Sequence, residues 1–177
     1  VSNIDGSPVE KNGQGYISLL STDGELIKQK WVSGLNAPKG MGISQGKLYV
    51  TDITEVVVID INSAAIIERI PIEGSSFLND ISIDGSGVVY VSDLKENKIH
   101  RLVKDQPELF MEGISSANGL KWFAENLYVL AKDQLLKVDS DKKISVIAKG
   151  IEGGADGVER VRENEFIVSG WQGCIYY

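Results

Sequence analysis

Short apolar runs separated by turn-forming residues fill the whole chain, and no window carries a sustained 3.6-residue apolar stripe with caps at both ends. The runs therefore predict strands, and they fall into four series that recur in step. The first is Pro38-Lys39-Gly40-Met41-Gly42-Ile43, Leu78-Asn79-Asp80-Ile81-Ser82-Ile83, Ala117-Asn118-Gly119-Leu120-Lys121-Trp122 and Ala155-Asp156-Gly157-Val158-Glu159-Arg160. Its polar anchors, Lys39, Asn79, Asn118 and Asp156, are 40, 39 and 38 residues apart. A second series follows at near-constant distance: KLYVTD (47–52), VVYVSD (88–93), NLYVLA (126–131) and EFIVSG (165–170). The third is VVVIDI (56–61), KIHRLV (98–103), LLKVDS (135–140) and CIYY (174–177). The fourth is AAIIERIPI (64–72), PELFMEG (107–113) and KISVIAKG (143–150).

Four antiparallel strands every 38 to 40 residues describe a blade of a β-propeller. A twisted sheet has two apolar faces, and radial stacking buries both. A two-sheet sandwich also has many short strands, but it has no reason to repeat an Asn/Asp-Gly/Asp-apolar motif in register. The expectation is an all-β, single-domain propeller, six-bladed in the complete protein. Three complete four-stranded blades, 35–74, 75–113 and 114–152, lie between partial units at 1–34 and 153–177. Val1-Ser2-Asn3 takes the place of Tyr49-Val50-Thr51, a second strand, and GYISLL (15–20) and ELIKQKWV (25–32) continue that unit around an inserted loop at 7–13. Apolar residues of GYISLL and CIYY are expected on open blade flanks, to be covered by further blades or by a second copy in a homo-oligomer.

Composition narrows the chemistry. Lysine plus arginine number 18 against 25 aspartate plus glutamate, so the net charge of -7 argues against a nucleic-acid partner. One cysteine, Cys174, and one histidine, His100, exclude an internal disulfide, a cysteine metal cluster and a histidine-rich zinc site. No stretch approaches the run of about 18 apolar residues that a membrane helix needs. The chain opens on Val1 rather than methionine, so cytoplasmic and exported locations both stay open. His100, on an outer third strand, reads as structural or surface, and Cys174 as a small buried residue. Ser2, Ser92 and Ser169 recur on second strands with no base beside them, against a serine nucleophile. Asp52 and Asp93 read as turn carboxylates. Trp171 either walls a pocket or packs between blades.

Inner strands of a propeller line its channel, so Asn79, Asn118 and Asp156 would converge near the axis as a hard-oxygen site suited to calcium or magnesium. Taken singly, each motif is also a favoured bend into a strand. Lys39 breaks the series, either as an electrostatic partner of the cluster or as a plain exposed lysine. Asp80 reaches the axis, as a base or as an acceptor behind the ligands, or bonds to backbone amides in the turn.

The segments 77–93, 116–130 and 154–171 resemble three successive blades of the SMP-30/gluconolactonase family, the lactonase-type six-bladed propellers. That resemblance implies a metal-dependent hydrolase opening a lactone or related ester, with a divalent metal (Ca2+ first, Mg2+ or Zn2+ as alternatives) in the channel. It implies Asn118 and Asp156 as metal ligands, Asp156 as acid/base, and Asn79 orienting substrate or a water. The family's glutamate ligand lies upstream of this chain's first strand, and Glu10, in the inserted loop, does not replace it. Phe77 stands where the family often has an arginine that contacts substrate, which favours a less polar ligand. The alternative is a non-catalytic propeller that binds a protein or glycan, any central metal being structural.

Overall fold

The computed structural model describes residues 1–163 and 165–177. Eighteen strands and no helix make up the described chain. They are β1 (Ser2–Asn3), β2 (Gly15–Leu20), β3 (Leu26–Leu35), β4 (Pro38–Ser44), β5 (Lys47–Asp52), β6 (Glu55–Asp60), β7 (Ala65–Pro71), β8 (Leu78–Ile83) and β9 (Val89–Asp93). There follow β10 (Lys98–Val103), β11 (Gln106–Glu112), β12 (Ala117–Phe123), β13 (Asn126–Ala131), β14 (Gln134–Val138), β15 (Ile144–Lys149), β16 (Ala155–Arg162), β17 (Glu165–Gly170) and β18 (Ile175–Tyr176). Consecutive strands pair antiparallel into five sheets: β1–β3, β4–β7, β8–β11, β12–β15 and β16–β18. The three middle sheets have four strands and the outer two have three. These are the blades of a β-propeller, and no helix exists among the described residues to cross a membrane.

The core lies between blades. Ile17, Val32 and Leu35 of the first blade meet Val50, Val57 and Ile59 of the second. Val56, Val58 and Ile70 on the opposite face of that second sheet meet Leu78, Ile81 and Val91 of the third. The same exchange joins the third blade to the fourth and the fourth to the fifth, through Tyr90, Phe110 and Leu127, then Tyr128, Ala155 and Val168. A strand covered on both faces has no solvent side, which is why Val56, Val57, Val58 and Ile59 of β6 are all apolar and fully buried. Trp122 stacks on Tyr90 with ring centroids 5.0 Å apart, so it fills an inter-blade gap.

Two sequence expectations are corrected. Ser2, rather than Asn3, is the counterpart of Thr51: its Oγ donates to the Lys39 carbonyl at 2.8 Å, as Thr51 Oγ1 donates to the Asn79 carbonyl at 2.6 Å. The equivalence Val1-Ser2-Asn3 to Tyr49-Val50-Thr51 is thus one residue out of register. Cys174 is exposed, because it precedes β18, the edge strand of the last sheet, and no strand among the described residues pairs outside it. On the terminal sheets, Ile17 is buried against the second blade, while Leu19, Ile175 and Tyr177 are exposed.

Candidate functional site

The inner strands of the last four blades share an irregularity at the same place. Pairing jumps from Pro38↔Asp52 to Met41↔Val50, from Leu78↔Asp93 to Ile81↔Val91, from Ala117↔Ala131 to Leu120↔Val129, and from Ala155↔Gly170 to Val158↔Val168. Two residues of the inner strand thus oppose one of its neighbour, a β-bulge, and the extra pair is the anchor and the residue after it. The bulge takes Lys39, Asn79, Asn118 and Asp156 out of the ladder at one end of the propeller. Recurring hydroxyls hold it open. Thr51 Oγ1 accepts from Gly40 N at 2.9 Å, Ser92 Oγ from Asp80 N at 2.9 Å, and Ser169 Oγ from Gly157 N at 3.0 Å. That backbone work is the role of the serines on the second strands.

The anchors of three blades form one hydrogen-bonded row. Asn79 Nδ2 donates to Asn118 Oδ1 at 2.5 Å, and Asn118 Nδ2 donates to Asp156 Oδ1 at 3.3 Å and to the Ala155 carbonyl at 2.9 Å. Asn118 is buried; Asn79 and Asp156 are half-buried at the wall of a cavity of about 970 Å³. Lys39, from the equivalent place in the second blade, lines the same cavity. Its ammonium donates to the carbonyls of Pro8 (3.0 Å) and Ala37 (2.9 Å) and lies 4.5 Å from the centre of the Phe77 ring. Burial lowers its pKa to about 8; Asp52 raises it and Lys95 lowers it further.

Asp80 is directed at backbone. Its Oδ1 accepts from Ile81 N and its Oδ2 from Leu120 N of the next blade, both at 2.8 Å. Ser82 Oγ accepts from Trp122 N at 2.7 Å, so alternate side chains of β8 satisfy alternate amides of β12. Burial pushes the Asp80 carboxyl up to about 6, against the lowering effect of its two amide donors, with Asp156 and Glu159 adding to the rise. Asp52 and Asp93 are fully buried and accept backbone amides of the incoming loop: Asn36 and Ala37, and Ser76 and Phe77. His100 is buried on β10, away from the cavity; its Nε2 has no partner among the described residues, and burial lowers its pKa.

The outer wall was not evident as a wall from the sequence. Ile4, Leu94, Lys132 and Trp171 each follow the second strand of a blade, and all four line the cavity. Trp171 is 81% exposed and so serves the cavity rim rather than inter-blade packing. The repeat register that singles out Trp171 would have found the other three. The inserted loop also enters, through the Pro8 carbonyl on Lys39.

As a metal site the row is suitable in kind and sparse in number. Asn118 and Asp156 carry an amide oxygen and a carboxylate, hard donors of the kind a calcium-like ion takes, but it is the Asn118 amide nitrogen that meets Asp156. Asn118 Oδ1 is engaged by Asn79, so the amide row must reorganise to present it. No cluster of three His, Cys, Asp or Glu side chains suited to a metal is found among the described residues.

No protein-family model matches the chain, and no curated protein matches it. Solved structures match its fold. Virginiamycin B lyase from Staphylococcus aureus superposes with a TM-score of 0.62 at 16% identity, covering 78% of this chain and 54% of that one. A chain of a nidogen/laminin complex gives 0.70 at 14% identity, covering 84% and 63%. The computationally designed Ika8 protein gives 0.61 at 11% identity, covering 93% and 52%. The chain spans about half the length of the lyase. At these identities the likeness is one of fold: this is a β-propeller protein with a cavity at one end of its inner strands, a polar row set in a largely apolar wall.

Proposed function

We propose that the cavity is the substrate site of a lactonase-like hydrolase, six-bladed in its complete form. Asn118 and Asp156 hold a divalent metal there, Ca2+ in the first place and Mg2+ or Zn2+ as alternatives, and Asn79 orients a lactone or ester substrate. The observation that carries this reading is the Asn79–Asn118–Asp156 row, three side chains from three successive inner strands joined at the wall of one cavity. When bound, such a metal supplies Lewis-acid polarisation of a carbonyl and acidifies water. Asp156 is the one carboxylate of the row and the group able to accept a proton beside it. Asp80, with both oxygens on backbone amides, holds β8 against β12 behind the row.

The test is metal content and lactone opening by the complete gene product, purified without added metal and then given Ca2+. Stoichiometric metal that is lost in Asp156→Asn, with hydrolysis abolished by chelation and restored by Ca2+, supports the reading. A wild-type protein that takes up no metal and opens no lactone refutes it.

A second reading, a non-catalytic binding propeller, is favoured by one observation. The position equivalent to the row in the second blade is an ammonium, Lys39, lining the same cavity, and the row itself has a single carboxylate. It predicts ligand binding that chelation leaves unchanged.

A further inference from the structure

The Lys39 corner of the cavity has a charge that nothing in the described chain neutralises. Its ammonium has three N–H donors, and the carbonyls of Pro8 and Ala37 take two. None of the ion pairs among the described residues includes Lys39. The acid it feels most, Asp52, is fully buried and already engaged by the amides of Asn36 and Ala37. A second ammonium, that of Lys95, lies 5.0 Å from the same Phe77 ring, so two cations flank one aromatic side chain. A half-buried cation without a counter-charge is costly, and an anion entering the cavity relieves that cost. This positive corner belongs to a chain whose net charge is -7, so it is a local feature and no reflection of composition.

What surrounds the ammonium limits the anion. Pro8, Pro38, Phe77 and Leu94 line the cavity with Lys39, and Ile4 and Trp171 extend the apolar wall. We propose that this corner binds a small organic carboxylate with an apolar body, its anionic head on Lys39 Nζ and its body against Phe77 and Leu94. The proposal names the ligand class of the cavity assigned above and rests on that cavity being a small-molecule site. It requires neither metal nor catalysis. The third Lys39 N–H donates to the carboxylate, giving a charge-assisted hydrogen bond in a partly desolvated place.

The test is calorimetric titration of the complete protein at neutral pH in EDTA, with 3-phenylpropionate and its neutral amide, 3-phenylpropanamide, as probes. The acid is expected to bind about 10- to 100-fold more tightly than the amide, the worth of one charge-assisted hydrogen bond. Lys39→Met should bring the acid down to the affinity of the amide and leave the amide unchanged, while Lys39→Arg should retain the preference. Equal binding of acid and amide by the wild type, or no binding of the acid, overturns the proposal, and the wild-type comparison needs no variant to fold. Acid-selective binding that survives Lys39→Met overturns it as well. Because the titration is run in chelator, it reads binding independently of metal. Acid-selective binding there, with no lactone opening by the same protein freed of chelator and loaded with Ca2+, would sink the hydrolase reading and leave this one standing. Lactone opening without acid selectivity would do the reverse.

Discussion

Asp80 couples the cavity wall to the stability of the ring, and its titration provides a quantitative check on the whole arrangement. Its carboxyl lies between β8 and β12 at the cavity wall and is raised by burial from 3.8 to about 6. The folded state therefore holds the Asp80 proton more tightly than the unfolded chain does. The stabilisation from that proton is complete below pH 3.8 and is lost as pH rises through about 6. Between pH 7 and pH 4.5 the two pKa values give a gain of about 2 kcal/mol on acidification. Asp80→Asn removes the titration while keeping the shape. His100 works in the opposite direction: burial depresses its pKa, so it costs stability as pH falls below 6.5. Its contribution is common to both proteins and cancels in their difference. Thermal unfolding of wild type and Asp80→Asn at the two pH values should show the wild type gaining about 4–8 °C on the variant at the lower pH. Parallel curves for the two proteins would mean that Asp80 is not held in a desolvated inter-blade site, and the packing of β8 on β12 would have to be redrawn.

The other predictions concern the bulges and turns that shape the site. A Cβ at Gly40 would stand 2.5 Å from Asp80 Cα and 2.6 Å from the Asn79 carbonyl oxygen, so Gly40→Ala must push the second and third blades apart. It should cost about 1–3 kcal/mol in urea unfolding. Thr51→Val removes a hydroxyl that accepts from Gly40 N and donates to the Asn79 carbonyl, and should cost about 1–3 kcal/mol by the same measurement. Ala124 and Glu125, between β12 and β13, have φ of 46° and 58°, where Gln45-Gly46 serves the second blade with 49° and 76°. Asn-Gly is the preferred pair for such a turn, so replacing Ala124-Glu125 by it should raise stability by about 1 kcal/mol.

The sequence alone determined the strands and their repeat. A blade is a local object: four short apolar runs joined by tight turns, each pairing with the next. Its signature in the chain is therefore contiguous, and KLYVTD, NLYVLA and EFIVSG are strands at the residues expected. The same register placed Asn79, Asn118 and Asp156 on equivalent positions, and the fold brings all three into one row. Register also contained the rim residues Ile4, Leu94 and Lys132, but nothing in their chemistry marks them as a set; only their common place after a second strand does. The tertiary structure alone decided where each polar group spends its hydrogen bonds. Asp80 could be read equally as facing the axis or the turn, and it turned to the amide of Leu120, a partner 40 residues away. Lys39 could be a surface lysine or part of the cluster, and Phe77 and the Pro8 carbonyl settled it into the cavity wall. Cys174, apolar by type, came out exposed because burial on an edge strand depends on what packs outside it. Periodicity records which residues share a face, since that is fixed by the covalent repeat of the strand. It does not record which donor finds which acceptor across a blade boundary, since that is fixed by distances set only when the blades pack.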